Sequence, residues 1–213
     1  MRVIAGEAKG RRLTGIGSSA IRPTSDRVRE ALFSALGGAV PGARVLDLYA
    51  GTGALGIEAL SRGAARAVFV DSDREAVAAV RANLALTGTD DRATVVRSPV
   101  AGFLAAPRRP SGGGVRLGGH GSFDLVFLDP PYAQGPPVQD LECLVAGGFL
   151  AAGASVVLET RGPDAPAPVE GLEVVSRRRY GDTTLVFLRP SGPEQEPEQD
   201  PEQDPERDPE REL

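Results

Sequence analysis

The sequence predicts an α/β fold, a mostly parallel sheet wound on both faces by helices, and three observations carry that prediction. From residue 44 onward, short apolar runs alternate with segments of helical period. A glycine-rich turn joins the first of these runs to the first helical segment. Asp47, Asp71 and Asp129 each fall at the end of an apolar run. Strand–helix alternation implies parallel pairing through crossover helices. Such sheets bind ligands beyond the carboxyl ends of their strands, so one crevice can hold all three aspartates.

Strands are expected at residues 44–48, 67–70, 93–97, 123–128 and 154–159, with helices near 54–62, 73–87 and 137–146. The runs 172–180 and 183–189, joined through Gly181-Asp182, predict a hairpin that closes the sheet. Ahead of the alternation, residues 1–20 mix short apolar and basic stretches with glycines, as in a small hairpin. Residues 26–37 predict a helix capped by Thr24 or Ser25. Its apolar face would be Val28, Ala31, Leu32, Ala35 and Leu36, leaving Arg27, Arg29 and Glu30 off that face. Pro23 stiffens the entry, and the corner is expected to present Arg22 and Asp26 towards the crevice.

The turn Ala50-Gly51-Thr52-Gly53-Ala54-Leu55-Gly56 follows the apolar run Val45-Leu46-Asp47-Leu48-Tyr49, a G-x-G-x-x-G pattern in its proper strand-to-helix context. Its glycines let the backbone turn tightly and approach a ligand. Asp71, 18 residues after Gly53, suits a carboxylate that grips ribose hydroxyls. The pattern alone also fits a dinucleotide-binding domain, with Asp47 as a local turn cap. Four residues before Gly51, however, Asp47 would repel a pyrophosphate and accept from an ammonium, directly or through water. S-adenosylmethionine has an ammonium, a ribose diol and no phosphate.

Asp129-Pro130-Pro131-Tyr132 ends the apolar run 123–128. Proline fixes φ and removes a donor, so this segment predicts a rigid, acceptor-lined slot. Tyr132 offers a flat face for stacking. A planar group with an exocyclic amine fits there.

Composition narrows the class. No stretch approaches the ~20 apolar residues of a membrane span, and the N-terminus lacks a signal-like apolar region. The single cysteine, Cys143, fits a reducing cytoplasm and is expected to be buried and structural. With one histidine, His120, and one cysteine, no zinc site is expected. The net charge of −5 conceals an asymmetry: the last 23 residues hold ten acidic side chains and two arginines. The first 190 therefore carry 22 basic and 19 acidic groups, and Lys9 is the only lysine. Arginine forks suit phosphates and stack on bases. Residues 107–121, rich in Gly, Arg and Pro, predict a surface loop, and the acidic proline-rich tail 191–213 is expected to be disordered.

Asp47-x-x-x-Gly51-x-Gly53, Asp71 and Asp129-Pro-Pro-Tyr132 resemble the motifs of class I amino-methyltransferases. Gly10-Arg11-Arg12-Leu13 and Arg22-Pro23-Thr24-Ser25-Asp26-Arg27-Val28-Arg29-Glu30-Ala31-Leu32-Phe33 are similar to the RsmD family, over about residues 1–190. That resemblance implies a Rossmann-like, mostly parallel seven-stranded sheet with an antiparallel last strand. It implies methylation of guanine N2 in 16S rRNA, at guanine 966, by S-adenosylmethionine, leaving S-adenosylhomocysteine, with no metal. The substrate would be a partly assembled 30S particle, and the enzyme a cytoplasmic monomer.

The same resemblance divides the chain into a hairpin-and-helix extension at 1–40 that contacts RNA, a catalytic domain at 41–190 and the tail. It makes Asp129, Pro130 and Tyr132 catalytic, and gives the donor Asp47, Gly51, Gly53 and Asp71. Arg2, Arg11, Arg12, Arg22, Thr24, Asp26 and Arg27 would contact RNA. Family members often place a polar or acidic residue after the third strand to meet adenine; here Arg97-Ser98-Pro99 stands there, and Ser98 or backbone groups would substitute. A DNA adenine-N6 or cytosine-N4 methyltransferase would use the same slot, but no target-recognition domain is visible in 213 residues.

Overall fold

The computed structural model describes residues 1–17, 25–106, 122–131, 137–162 and 167–191. Arg22, Pro23, Thr24, His120, Tyr132, the 107–121 stretch and the tail from 192 lie outside the described residues.

The strands are β1 (Arg44–Leu48), β2 (Arg66–Asp71), β3 (Ala93–Arg97), β4 (Phe123–Leu128), β5 (Leu150–Arg161), β6 (Leu172–Tyr180) and β7 (Thr183–Pro190). They form one seven-stranded sheet in the order β3-β2-β1-β4-β5-β7-β6. The first five pair in parallel, while β7 runs antiparallel to both β5 and β6. Insertion of an antiparallel β7 between β5 and β6 separates this sheet from the all-parallel order 3-2-1-4-5-6 of dinucleotide-binding domains. The strand order reverses between β1 and β4, which makes that junction the switch point where ligands bind.

Period-2 alternation divides the core. Val45, Ala67, Phe69, Leu125 and Phe127 face one side of the sheet, and Leu46, Leu48, Val68, Val70, Val126 and Leu128 face the other. Helices α1 (Asp26–Leu36), α2 (Ala54–Ser61) and α3 (Arg74–Thr87) cover the first face; α4 (Val100–Ala105) and α5 (Val138–Ala146) cover the second. Each fully buried Leu or Phe contributes roughly 1.5–3 kcal/mol of transfer free energy. The short α4 is not evident in the sequence, because six residues hold too few turns for a helical period. The strand expected at 154–159 is the centre of the longer β5, and Cys143 is half-buried rather than buried.

The N-terminal segment is part of this core. An antiparallel bridge joins Arg2 to Arg12, and Val3, Ala8 and Leu13 are buried with α1 and α2. Ser25 caps α1 by accepting from the Val28 amide at 3.3 Å. One expectation about this helix fails: Arg29 does not lie off the buried face but is fully buried. Its Nη2 donates to the Arg2 carbonyl at 2.6 Å and to Asp26 Oδ1 at 2.8 Å, and Nη1 lies 3.9 Å from Glu58. Glu58, also fully buried, accepts from the Ile4 and Ala5 amides at 2.7 and 3.0 Å and from Arg62 Nε at 2.7 Å. Arg62 lies over the Phe33 ring, 4.8 Å from its centroid. Arg29 Nε and Nη1 have no hydrogen-bond partner among the described residues, so it is the two facing carboxylates and the Nη2 bonds that offset the loss of water on burial.

Candidate active site

The glycine turn is built by backbone conformations that suit glycine. Gly51 and Gly53 have φ of 55° and 76°, in the left-handed region. A Cβ on Gly51 would meet only the Tyr49 carbonyl, at 3.9 Å, so its outer side is open to a ligand. Gly56 is required for packing: a Cβ there would fall 2.3 Å from the Phe69 ring. The missing side chain lets α2 approach β2, and the Gly56 amide donates to Asp47 Oδ2 at 2.9 Å.

Asp47 therefore departs from its expected place. It is the penultimate residue of β1, 2% exposed, and its carboxylate lies beneath the first turn of α2 rather than over an open crevice. Burial pushes its carboxyl up to about 8, against the lowering effect of the Gly56 amide, and the nearby Asp71 adds to the rise. Asp71, at the end of β2, is half-buried. Its Oδ2 accepts from the Gly51 amide at 2.8 Å and its Oδ1 from the Asp73 amide at 2.9 Å. One carboxylate thus ties β2 to the glycine turn and to the start of α3. Ser98 follows β3; its amide donates to the Asp71 carbonyl at 2.9 Å, which places it beside the same strand end.

Register aligns the two halves of the site. Leu48 pairs with Val70 on one side and Leu128 on the other. The next positions, Asp71, Tyr49 and Asp129, follow that rung across three adjacent strands. Adjacent strands lie about 4.8 Å apart, so two spacings, about 10 Å, separate the backbones of Asp71 and Asp129. Asp129 is half-buried, Pro130 buried and Pro131 exposed. Among the three sequence-predicted catalytic residues, Asp129 and Pro130 stand at the switch point, and Tyr132 lies outside the described residues.

Two residues that the sequence did not single out join this site. Tyr49 has φ of 60°, and is the single non-glycine residue with positive φ among those described. Such backbone strain concentrates where the surroundings enforce it. The Tyr49 hydroxyl donates to Asp140 Oδ2 of α5 at 2.6 Å, and burial with that carboxylate pushes the phenol up. Asn83 of α3 is fully buried: its Oδ1 accepts from the Thr14 amide at 2.7 Å, and its Nδ2 donates to the carbonyls of Thr14 at 3.1 Å and Thr52 at 2.9 Å. This amide fastens the end of the N-terminal hairpin to the glycine turn. A lone Asn inside a helical run carries no sequence signal for that role.

The residues expected on RNA behave differently from one another. Arg2, Arg11, Arg12 and Arg27 are exposed, and Arg11 Nη1 donates to the Leu86 carbonyl at 3.2 Å. Asp26 is committed elsewhere: it pairs with Arg29 at 2.8 Å and Arg2 at 3.5 Å, and the hydrogen bond from Arg29 leads in holding its carboxyl below the usual range. Among the described residues, no group of three or more His, Cys, Asp or Glu is placed to hold a metal, and no helix is long and apolar enough to cross a membrane.

Comparison with known proteins agrees with this architecture. The family model described as Conserved hypothetical protein 95 matches residues 1–189. Ribosomal RNA small subunit methyltransferase D of Escherichia coli (strain K12) is 38% identical, over 75% of this chain and 74% of its own. The solved structure of a hypothetical protein from Thermus thermophilus is 35% identical, with a TM-score of 0.70, and covers 88% of this chain and 98% of its own. A more distant chain, solved with S-adenosylhomocysteine, is 17% identical with a TM-score of 0.59 over 79% of this chain and 50% of its own, a likeness of fold alone. The sheet is that of class I methyltransferases, and the chain belongs to the Conserved hypothetical protein 95 family, the RsmD family to which its N-terminal block pointed.

Proposed function

We propose that this protein methylates the exocyclic N2 of a guanine in 16S rRNA, by resemblance guanine 966, with S-adenosylmethionine as donor and a partly assembled 30S particle as substrate. The observation that carries the reading is the rung that follows β2, β1 and β4. It brings a donor-type carboxylate, Asp71, and the acceptor-lined Asp129-Pro130-Pro131 to the two sides of the switch point. The name of the Escherichia coli relative supports rRNA as the substrate class.

The residues fit the donor. Gly51 leaves backbone open to it, Asp71 and Ser98 offer polar groups at adjacent strand ends for ribose and adenine, and the buried Asp47 places a carboxyl under the turn. When bound, S-adenosylmethionine supplies an electrophilic methyl group. The Asp47 carboxyl would favour the ammonium end from beneath the turn, because a nearby positive charge stabilises the ionised form. Gly51 and Gly53 would border its methionine portion, and Asp71 would accept from its ribose hydroxyls.

The guanine N2 lone pair is delocalised into the ring and is a weak nucleophile. The Asp129 carboxylate and the Pro130 carbonyl accept its two N–H bonds, which favours a pyramidal nitrogen whose lone pair faces the methyl group. Holding the two reactants in line can lower a barrier by about 7–11 kcal/mol in favourable cases. After transfer the nitrogen is acidic, and Asp129 takes its proton or passes it to water. Tyr132 stacks on the guanine, which enters unstacked. Arg2, Arg11, Arg12 and Arg27, with Arg22 and Thr24, hold the RNA backbone. Asp26, half-exposed and paired with Arg2 and Arg29, positions Arg2 for that contact.

The test is transfer of labelled methyl from S-adenosylmethionine to 30S particles isolated from cells lacking this protein. Asp129→Ala should lose turnover at least 100-fold, while its donor affinity by calorimetry stays within about threefold. Normal turnover in that variant contradicts the assignment.

A further inference from the structure

Outside the crevice, the edge strand β6 carries a run of adjacent cationic side chains. It ends in Ser176-Arg177-Arg178-Arg179-Tyr180, and all three arginines are exposed. Because β6 is antiparallel to β7, and β7 to β5, β6 runs in the same direction as β5 and β4. Its carboxyl end therefore lies at the same edge of the sheet as the candidate active site. Register fixes the level. Arg177 pairs with Val186, Val186 stands beside Leu158, and Leu158 beside Leu128. One step further, Arg178 reaches Leu185 and Glu159, on the level of Asp129. Three strand spacings, about 14 Å, separate the Arg178 and Asp129 backbones.

The arginines project to both sides of the edge. Arg178 shares a face with Phe187 and lies over its ring, 5.5 Å from the centroid. Arg177 and Arg179 alternate to the opposite face. Arg179 Nε donates to the Gly181 carbonyl at 2.9 Å, and the side chain of Arg177 makes no hydrogen bond or ion pair among the described residues. Among the described residues, Glu173 is paired with Arg189, Glu159 is buried and engaged, and Asp182 lies in the β6–β7 turn, and no ion pair joins any of these to Arg177, Arg178 or Arg179.

We infer that the carboxyl end of β6 is a second docking surface for the RNA phosphate backbone, a reading that rests on the proposed rRNA substrate. The N-terminal hairpin packs on α2 and α3, which cover β1 to β3, whereas β6 is the opposite edge of the sheet. Exposed arginines thus stand towards both edges of the sheet, and RNA that enters the crevice is held at β6 by its phosphates. Charged edge strands also prevent edge-to-edge pairing of sheets; that role needs only charge, and has no effect on RNA affinity.

The experiment compares wild-type protein with R177A/R179A and R177K/R179K. Arg178 is left in place because it packs on Phe187. Affinity for 16S rRNA is read by filter binding across salt, and KM by methyl transfer to 30S particles. The alanine pair should weaken rRNA binding and raise KM at least fivefold. Its log–log salt slope should fall by about 1.4, the value for two lost single-strand phosphate contacts. Donor affinity should not change, and the lysine pair should keep the wild-type slope. Wild-type affinity and slope in the alanine pair overturn the inference, and so does self-association of that variant with unchanged rRNA affinity. Failure of the wild-type protein to methylate rRNA counts instead against the proposed function, and the binding arm still decides whether β6 holds RNA.

Discussion

Two arginine-bearing regions of this molecule use the same side chain in opposite ways. In the N-terminal block, Arg29 is fully buried and faces Asp26 and Glu58, so that hairpin, α1 and α2 share one ionic centre. On β6, Arg177 to Arg179 are exposed on a sheet edge. The block that looked most suited to RNA is partly a folding device, and the strand read only as half of a closing hairpin carries exposed charge. Arginine density in a sequence therefore does not locate a nucleic-acid surface; burial and register do.

The contrast is sharpest in stability. Glu58→Ala should destabilise the protein by about 3–5 kcal/mol, because it removes one of the two carboxylates that face the buried Arg29 and releases the Ile4 and Ala5 amides. R177A/R179A should change stability by no more than about 0.5 kcal/mol. Urea unfolding of both variants measures the difference. Equal costs would erase the distinction between the two regions.

Asn83 comes next in size. Asn83→Leu leaves the Thr14 amide and the Thr14 and Thr52 carbonyls without their partner, and should cost about 1–3 kcal/mol. Because Asn83 fastens the hairpin to the glycine turn, the variant should also bind S-adenosylmethionine several-fold more weakly in calorimetry. Unchanged donor affinity would separate the hairpin from the donor site and make the amide purely structural.

Asp47 shows itself in the pH dependence of stability rather than in its level at one pH. The folded state holds its proton up to about pH 8, far above the ordinary value of 3.8. The stabilising contribution of that group is thus complete below about pH 4 and is lost as pH rises through about 8. Asp47→Asn should remove this slope, so that its melting temperature relative to wild type climbs between pH 5 and pH 8.5. Its donor affinity should fall, since no carboxylate forms to meet the ammonium. A constant Tm difference across that range would mean that Asp47 is ionised in the folded protein.

The sheet was legible because its pattern is local. Val45 to Leu48, Val68 to Val70 and Leu125 to Leu128 alternate between two apolar faces, and glycines punctuate the first crossover. Asp71 and Asp129 were placed correctly at strand ends, because a carboxylate ending an apolar run has few other places to go. Asp47 was misplaced by one residue's direction: it lies inside β1, and the pleat turns it under α2. Arg29 was misread because the helical period scores side-chain type, whereas the partners that allow its burial, Asp26 and Glu58, are three residues away and across the fold. The Tyr49 hydroxyl bond to Asp140, spanning 91 positions, and the Asn83 clamp are contacts of tertiary register alone, invisible to any local pattern.

The central claim is tested most directly by the identity of the methylated nucleoside. After transfer of methyl from S-adenosylmethionine to 30S particles from cells lacking this protein, the rRNA is digested and analysed by mass spectrometry. N2-methylguanosine at a single site of 16S rRNA is the predicted result. Methylation of a different atom or base, or methyl transfer confined to DNA or protein, would contradict the reading of Asp129-Pro130 as a guanine N2 acceptor site.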